Sequence, residues 1–267
     1  FFVKFSLKIL RKIFSLLLLM SLFGIAHACD WNLGKTYYKT KQYEKAYACF
    51  MQPHMQKNSK AQNTLGRMYE EGWGVNKDEK KAVEWYRKAA EQGNPVAQYN
   101  LALHYANGKG LPQDYTQAIN WYRKAAEQNY ANAELNLGYL YDKGRGVKRD
   151  YKKAVYWYTR AAINGDVRAM TNLGIMYRDG QGVKKNPNRG AQYFMMAAEK
   201  NHAYAQYLLA QAYMNREGVI RDTAKAIELY KKAAENGEPL AMDKLSHIYF
   251  AGLYGQERDK VQGQKWL

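Results

Sequence analysis

Small and apolar residues recur along this chain in the same order every 36 residues. Six alanines open the repeated segments, and each is followed four residues later by a leucine and eight residues later by a tyrosine. Residues spaced by four and eight share one face of an α-helix, so each segment is predicted to begin with a helix that buries this face. The alanines are Ala61, Ala97, Ala133, Ala169, Ala205 and Ala241.

A glycine-containing loop and a second helix are predicted to follow each first helix. The motif Gly-x-Gly, as at Gly144 and Gly146, is typical of a helix end at which the backbone takes positive φ angles. An Asp or Asn a few residues later, such as Asp150, is placed to cap the next helix. That helix carries Trp-Tyr-x-x-Ala-Ala, as at Trp157 and Tyr158. Alternation of large and small residues at helical spacing is typical of two closely packed helices.

The combined pattern closely resembles the Sel1-like repeats of the tetratricopeptide superfamily. This resemblance implies an all-α fold, a right-handed α-solenoid of helix-loop-helix repeats with a 36-residue period. We place five repeats in 61–240, at 61–96, 97–132, 133–168, 169–204 and 205–240. A sixth repeat, 241–267, is cut short within its second helix, and 29–60 is similar to a plain tetratricopeptide unit.

Residues 1–28 have the features of a secretory signal peptide. Four basic residues and no acid precede an apolar stretch at 13–25, which ends at Ala26-His27-Ala28. This stretch is shorter than the roughly 20 residues that span a membrane, although an uncleaved anchor remains the alternative. We expect cleavage after Ala28 and an exported protein, either periplasmic or secreted. Because the chain begins at Phe1 and ends within a repeat, we also expect it to be part of a longer gene product.

The two cysteines leave three chemical states open. Cys29 would be the first mature residue, but Ala26 and His27 match the motif that directs lipid attachment poorly. A Cys29–Cys49 disulfide would suit an oxidising compartment. If both cysteines lay on antiparallel helices, their heights would differ by roughly 4–5 Å at 1.5 Å per residue, which is awkward for a bridge. Two free thiols are the third possibility.

The chain is strongly basic, with 41 Lys and Arg against 24 Asp and Glu and a formal net charge of +17. Loss of the signal peptide removes four cations and no acid, so the mature chain stays basic. Many cations fall in loops and on the outward part of the second helices, where charged side chains usually just keep the surface hydrated. The alternative is binding to an anionic partner or membrane surface. The residues expected to form this basic face include Lys148, Arg149, Lys152, Lys153, Lys184 and Lys185.

Counted from the alanine that opens each repeat, the third and seventh positions of the first helix point away from its predicted buried face. In tetratricopeptide-like stacks the first helix lines a concave groove, so the resemblance implies that these positions line a groove here. Several are apolar or aromatic, and we expect them, with Met214, to be exposed for partner recognition. The alternative is that some pack on the neighbouring repeat. The predicted groove residues are Asn63, Arg67, Tyr99, Leu103, Leu135, Tyr139, Thr171, Ile175, Tyr207 and Gln211.

No residue pattern in this chain nominates a catalytic, cofactor or metal site. The Gly-x-Gly motifs lack the strand and third glycine of a nucleotide-binding loop. The histidines lie far apart and without metal-ligand spacing. Some Sel1-like proteins have been described as β-lactamases, yet neither Ser59 nor Ser246 begins Ser-x-x-Lys. We therefore expect a protein that is not an enzyme and needs no cofactor.

These observations predict an exported, monomeric scaffold that binds a protein or peptide through its groove. The resemblance implies a role at the bacterial envelope or in host contact. Binding of a polyanion or a membrane surface by the basic face is the alternative, and a β-lactam or cell-wall hydrolase is a remote one. Export makes nucleic acid an unsuitable partner despite the positive charge.

Overall fold

The computed structural model describes residues 29–267, so the predicted signal peptide lies outside the described residues. The described chain consists of α-helices joined by short loops, with one 3-10 helix at Met55–Lys57. The helices are α1 Trp31–Lys39, α2 Tyr43–Phe50, α3 Ser59–Glu71, α4 Glu79–Glu91, α5 Pro95–Asn107, α6 Tyr115–Glu127, α7 Ala131–Lys143, α8 Tyr151–Ile163, α9 Val167–Asp179, α10 Pro187–Glu199, α11 Ala203–Asn215, α12 Thr223–Glu235, α13 Pro239–Ala251 and α14 Lys260–Lys265.

The chain divides into two compact units, with the boundary between Asn94 and Pro95. In the first unit, α1 packs on α2 and α3 packs on α4. In the second unit, α5 to α14 pack in order along the chain, and in the four full-length repeats the contacts within a helix-loop-helix pair are more extensive than those between pairs. The predicted fold class, an all-α repeat fold with a 36-residue period, is confirmed.

The predicted caps of the second helices are all present. The side chain of Asp78 accepts a hydrogen bond from the Lys81 backbone N–H at 3.0 Å. Such a bond satisfies a backbone donor that has no partner within the helix. The other four predicted caps accept the equivalent bond, and they are Asp114, Asp150, Asn186 and Asp222.

The predicted left-handed ends of the first helices are confirmed as well. Gly72, Gly144 and Gly180 end their helices with φ angles of 76°, 68° and 75°. In α11 the same position is held by Arg216, which adopts φ 60° despite its side chain. Five first helices thus end in a left-handed glycine, counting Gly108 at φ 68° and Gly252 at φ 65°, and α11 shows that the fold imposes this conformation on other residues.

The core of each repeat is an aromatic ring packed against a small residue of the paired helix. Tyr158 of α8 is 1% exposed, and a Cβ built on Gly138 of α7 would come within 2.5 Å of its ring. Gly66 faces Tyr86 in the same manner. Since no side chain fits in that space, the small residue sets how closely the two helices approach. The other fully or nearly fully buried rings of this column are Tyr122, Phe194 and Tyr230.

Cys29 and Cys49 form a disulfide in the first unit, with their Cα atoms 5.2 Å apart. The assumption that both cysteines lie on helices is wrong. Cys29 precedes α1, and Asp30, which caps α1, has an extended backbone. Because the chain leaves the helix at this point, the Cys29 side chain reaches Cys49 without the height difference expected for two helical positions. His54 Nε2 lies 2.7 Å from the Cys29 carbonyl oxygen, and this contact also helps to hold Cys29 in place.

Candidate protein-binding surface

The predicted groove positions of the first unit lie on α3. Asn63 is half-buried and Arg67 is exposed. The Arg67 guanidinium lies 5.2 Å from the centre of the Trp73 ring, which itself stacks on Tyr43 with the ring centres 5.1 Å apart. Cation and aromatic ring attract each other at this distance. Arg67 is thus held against an aromatic surface instead of extending freely into solvent.

In the second unit, most predicted groove positions are partly accessible. Tyr139 is 37% exposed and is the most accessible aromatic residue among them. The remaining five are half-buried, so each offers part of its side chain to a partner. These residues are Tyr99, Leu103, Ile175, Tyr207 and Gln211.

The expected exposure is wrong for three residues of this face. Leu135 is 7% exposed because it packs into the same core cluster as Tyr158 and Leu173. Met214, at 8% exposed, packs into the cluster around Tyr230. Thr171 is 1% exposed. A first helix in this fold contacts neighbouring helices on two sides, so its accessible arc is narrower than a helical wheel of an isolated helix predicts.

Thr171 is a hydrogen-bonding residue of the interior. Its hydroxyl donates to the Val167 carbonyl oxygen at 2.8 Å and lies 2.9 Å from His202 Nδ1. Because the hydroxyl hydrogen is used for Val167, the His202 nitrogen acts as the donor to Thr171. Burial lowers the pKa of His202 below its ordinary range, an effect opposed by the nearby Asp166 carboxylate.

A cavity of about 170 Å³ brings two predicted groove residues together. Leu103 of α5 and Tyr139 of α7 both line it. Its floor is the Tyr122 ring, which is 2% exposed. Arg145, from the loop after α7, lies at the opening with its guanidinium 5.4 Å from the Tyr139 ring centre. The cavity therefore combines aliphatic and aromatic side chains with two asparagines and one exposed cation.

Asn136 fixes the floor of this cavity. Its side-chain amide donates to the Tyr122 hydroxyl at 3.1 Å and also bonds Tyr99. Asn172 makes the equivalent bond to Tyr158 in the next repeat. Burial raises the pKa of Tyr122, Tyr158 and Tyr99 further above the ordinary tyrosine value, which already leaves the hydroxyl protonated at neutral pH. The recurring asparagines thus belong to the framework that shapes the surface.

The six predicted basic-face residues are all exposed. Lys153 lies 3.6 Å from Asp150 and 5.4 Å from the Tyr141 ring centre, so its charge is partly neutralised within the protein. Arg149 lies 5.2 Å from the Tyr151 ring centre. Lys184 and Lys185 line a separate cleft, whereas the side chains of Lys148 and Lys152 form no ion pair with a described residue.

Sequence reasoning missed a buried polar residue that directly follows the repeat alanine in four of the six first helices; α9 and α13 have Met170 and Met242 there. Gln62, Gln98, Glu134 and Gln206 are at most 4% exposed. Each accepts a hydrogen bond from an amide side chain 30 residues later, such as Gln128 to Gln98 at 2.9 Å. Their signal in the sequence is a Gln or Glu directly after Ala61, Ala97, Ala133 and Ala205, matched in each case by a Gln or Asn just after the second helix. Glu134 alone carries a charge and lies 3.0 Å from the Arg160 guanidinium.

Two further properties concern the described residues only. Within 29–267, no group of three His, Cys, Asp or Glu side chains is arranged to hold a metal ion. In that same part of the chain, every helix is too short or too polar to cross a membrane.

Helix-loop-helix units with left-handed caps, buried tyrosines and small facing residues define a class of all-α repeat scaffolds. The Sel1 repeat model matches 59–94, 95–130, 131–166, 167–202, 203–238 and 239–267. The chain therefore belongs to the Sel1 repeat family. Such repeats are typically non-catalytic scaffolds for protein–protein interaction.

Solved structures agree with this assignment. A Sel1 repeat protein from Oxalobacter formigenes is 46% identical, with a TM-score of 0.84 over 87% of this chain and 93% of that one. The protective antigen c5321 of uropathogenic Escherichia coli is 33% identical, with a TM-score of 0.82 over 93% of this chain and 55% of that one. The immunity protein PA5088 of Pseudomonas aeruginosa, at 22% identity and a TM-score of 0.51 over 84% of this chain and 82% of that one, shows the fold alone. No curated protein matches the chain.

Proposed function

We propose that this protein is an exported, monomeric, non-enzymatic scaffold that binds a protein partner through the accessible face of its first helices. The observation that carries the proposal is the cavity between Leu103 and Tyr139 with Arg145 at its rim. Its volume of about 170 Å³ suits one apolar side chain of a partner. Aromatic residues and arginine contribute most to binding when they surround such a cavity.

The proposal of export rests on two features of different origin. One is the signal-peptide pattern of residues 1–28. The other is the Cys29–Cys49 disulfide, since such bonds persist in oxidising compartments. The relative c5321 is described as a protective antigen, and by analogy we place this protein at the envelope or in host contact. Because the Cys29 sulfur is engaged in the disulfide, we favour a periplasmic or secreted protein over a lipid-anchored one.

Export is tested by fractionation and intact-mass measurement of the protein from its bacterium. We expect a mature chain that starts at Cys29, carries no lipid and is two protons lighter than its reduced form. A diacylglyceryl adduct on Cys29, or an unprocessed protein in the cytoplasm, would contradict the proposal.

Protein binding is tested by placing a photo-crosslinking amino acid at position 139 in living bacteria and identifying the crosslinked partner. With that partner purified, Tyr139→Ser and Arg145→Ser should each weaken binding about tenfold, as expected for the loss of about 1.4 kcal/mol. The matched control is Tyr156→Ser, because Tyr156 is a 55% exposed tyrosine on a second helix. Equal affinity of all three variants and the parent protein would refute the first-helix surface as the binding site.

A further inference from the structure

A second cleft, of about 410 Å³, lies beside the start of α10. It is built from the end of α9, the following loop and the first turn of α10. Three of its residues are cations and none is acidic. The lining residues are Tyr177, Val183, Lys184, Lys185, Asn186 and Arg189.

Stacked aromatic rings position the arginine of this cleft. The Arg189 guanidinium lies 4.4 Å from the centre of the Tyr177 ring. Tyr177 in turn stacks on Tyr193, with ring centres 5.6 Å apart and planes 15° from parallel. A guanidinium that rests on a ring keeps the N–H groups at its edge available. Those N–H groups form a planar fork that matches two oxygens of a phosphate or similar anion.

The equivalent cation is neutralised internally in two other repeats. Lys81 lies 3.5 Å from Asp78, and Lys153 lies 3.6 Å from Asp150. In both pairs, the acid is the cap of the second helix. Before α10 the cap is Asn186, which accepts the Arg189 backbone N–H at 3.0 Å but carries no charge. Arg189 therefore lacks the internal carboxylate that these repeats provide.

The two lysines of the cleft are not paired with an acid either, although Lys185 also lines a neighbouring cleft that contains Asp179 and Glu217. Lys184 and Lys185 are exposed, and neither they nor Arg189 form an ion pair with a described residue. Three cations around one cleft attract a multiply charged anion more strongly than the same cations spread over a surface. Since no acid lines this cleft and none of its three cations is in an ion pair within the described chain, the electrostatics favour an anion from outside.

We propose that this cleft binds a phosphate group carrying at least two negative charges. Arg189 donates two hydrogen bonds to the phosphate oxygens, and Lys184 and Lys185 neutralise the remaining charge. This site is distinct from the cavity at Leu103 and Tyr139, so either proposal can fail without the other.

The test is calorimetric titration of the mature protein with inorganic pyrophosphate. We expect one binding site, lost in Lys184→Gln/Lys185→Gln. We also expect binding about tenfold weaker in Asn186→Asp, a cost of about 1.4 kcal/mol, because the new carboxylate competes for Arg189. Asp caps five other second helices of this chain, so Asn186→Asp retains the helix cap.

The control is Lys148→Gln/Lys152→Gln, which removes the same charge from the equivalent region of the preceding repeat. It should leave pyrophosphate affinity within about twofold of the parent, since neither Lys148 nor Lys152 lines the cleft and exposed charges outside it are partly screened by salt. Absence of binding to the parent protein would overturn the proposal. Equal losses in both double variants, or unchanged affinity in Asn186→Asp, would overturn it as well, because net charge alone would then explain the binding.

Sedimentation with vesicles distinguishes the source of the phosphate. Retention of the parent protein by vesicles of phosphatidylcholine with phosphatidic acid, but not of Lys184→Gln/Lys185→Gln, would assign the site to a lipid headgroup. Pyrophosphate binding without vesicle retention would assign it to a soluble phosphate.

Discussion

Asn164 donates a hydrogen bond from its side-chain amide to the Glu134 carboxylate at 2.8 Å, joining the end of α8 to the start of α7. Glu134 is fully buried, and Arg160 Nε forms an ion pair with its carboxylate at 3.0 Å. The Arg160 guanidinium also donates to the Ala126 carbonyl oxygen at 2.8 Å, which belongs to the preceding repeat. One buried carboxylate thus fixes both the closure of its own repeat and the contact with the repeat before it.

Removal of the Arg160 charge should destabilise the protein more than neutralisation of Glu134. Arg160→Met leaves a buried carboxylate without its cation, and we expect a loss of about 3 kcal/mol in the free energy of unfolding. Glu134→Gln keeps the acceptor for Asn164 and reproduces the glutamine found at this position in α3, α5 and α11, so we expect a loss below about 1 kcal/mol. Urea unfolding followed by circular dichroism measures both. Equal losses would contradict the assigned role of the ion pair.

Arg216 is a site where a substitution should stabilise the protein. It holds φ 60° at the end of α11, where five other first helices have glycine. Arg216→Gly should therefore raise the free energy of unfolding by about 1 kcal/mol, because glycine adopts this backbone without steric cost. Thermal unfolding of the variant checks the direction.

The reverse substitution provides the control. Gly108→Arg places a side chain at φ 68°, where a Cβ would also come within 3.3 Å of Gln113 Cβ. This variant should unfold at a lower temperature than the parent protein. A lower temperature for Arg216→Gly too would show that the Arg216 side chain makes a stabilising contact that outweighs the strain.

His202 should make stability depend on pH. Its folded-state pKa is lowered, mainly by burial, so the unfolded chain binds its proton more readily. The stability that neutral His202 contributes is fully present above the unfolded pKa of about 6.5 and is lost as pH falls through the lower folded pKa. The charged groups that face His202 are Asp166, Arg168 and Glu238. Urea midpoints measured from pH 8 downward should therefore fall through this window.

His202→Gln isolates this contribution. A glutamine amide can still donate to the Thr171 hydroxyl but does not titrate in this range. The difference in stability between parent and variant should shrink or reverse as the solution is acidified. A difference independent of pH would show that His202 titrates normally in the folded protein.

The sequence predicted features that depend on local backbone chemistry. Asp150 caps its helix and Gly144 takes a positive φ because these preferences operate within a few residues. The prediction that Leu135 and Thr171 are exposed is wrong because burial depends on the neighbouring helices, which a helical wheel of one helix omits. The partnership of Glu134 with Asn164 was missed for a related reason. The two residues are 30 positions apart and meet only when the helix pair closes.

The Cys29–Cys49 disulfide should stabilise α1 and α2 without affecting the later repeats. It closes a 20-residue separation, for which restriction of the unfolded chain is worth about 3 kcal/mol. Cys29→Ala is the cleaner variant, since Cys49 is fully buried and its truncation would also remove packing. Trypsin should cleave Cys29→Ala faster at Lys39 and Lys41, between the two helices, and at an unchanged rate within α7 to α12. Reducing agent should reproduce this pattern in the parent protein and leave the variant unaffected. Equal cleavage rates at Lys39 and Lys41 in oxidised parent and variant would show that helix packing alone maintains this pair.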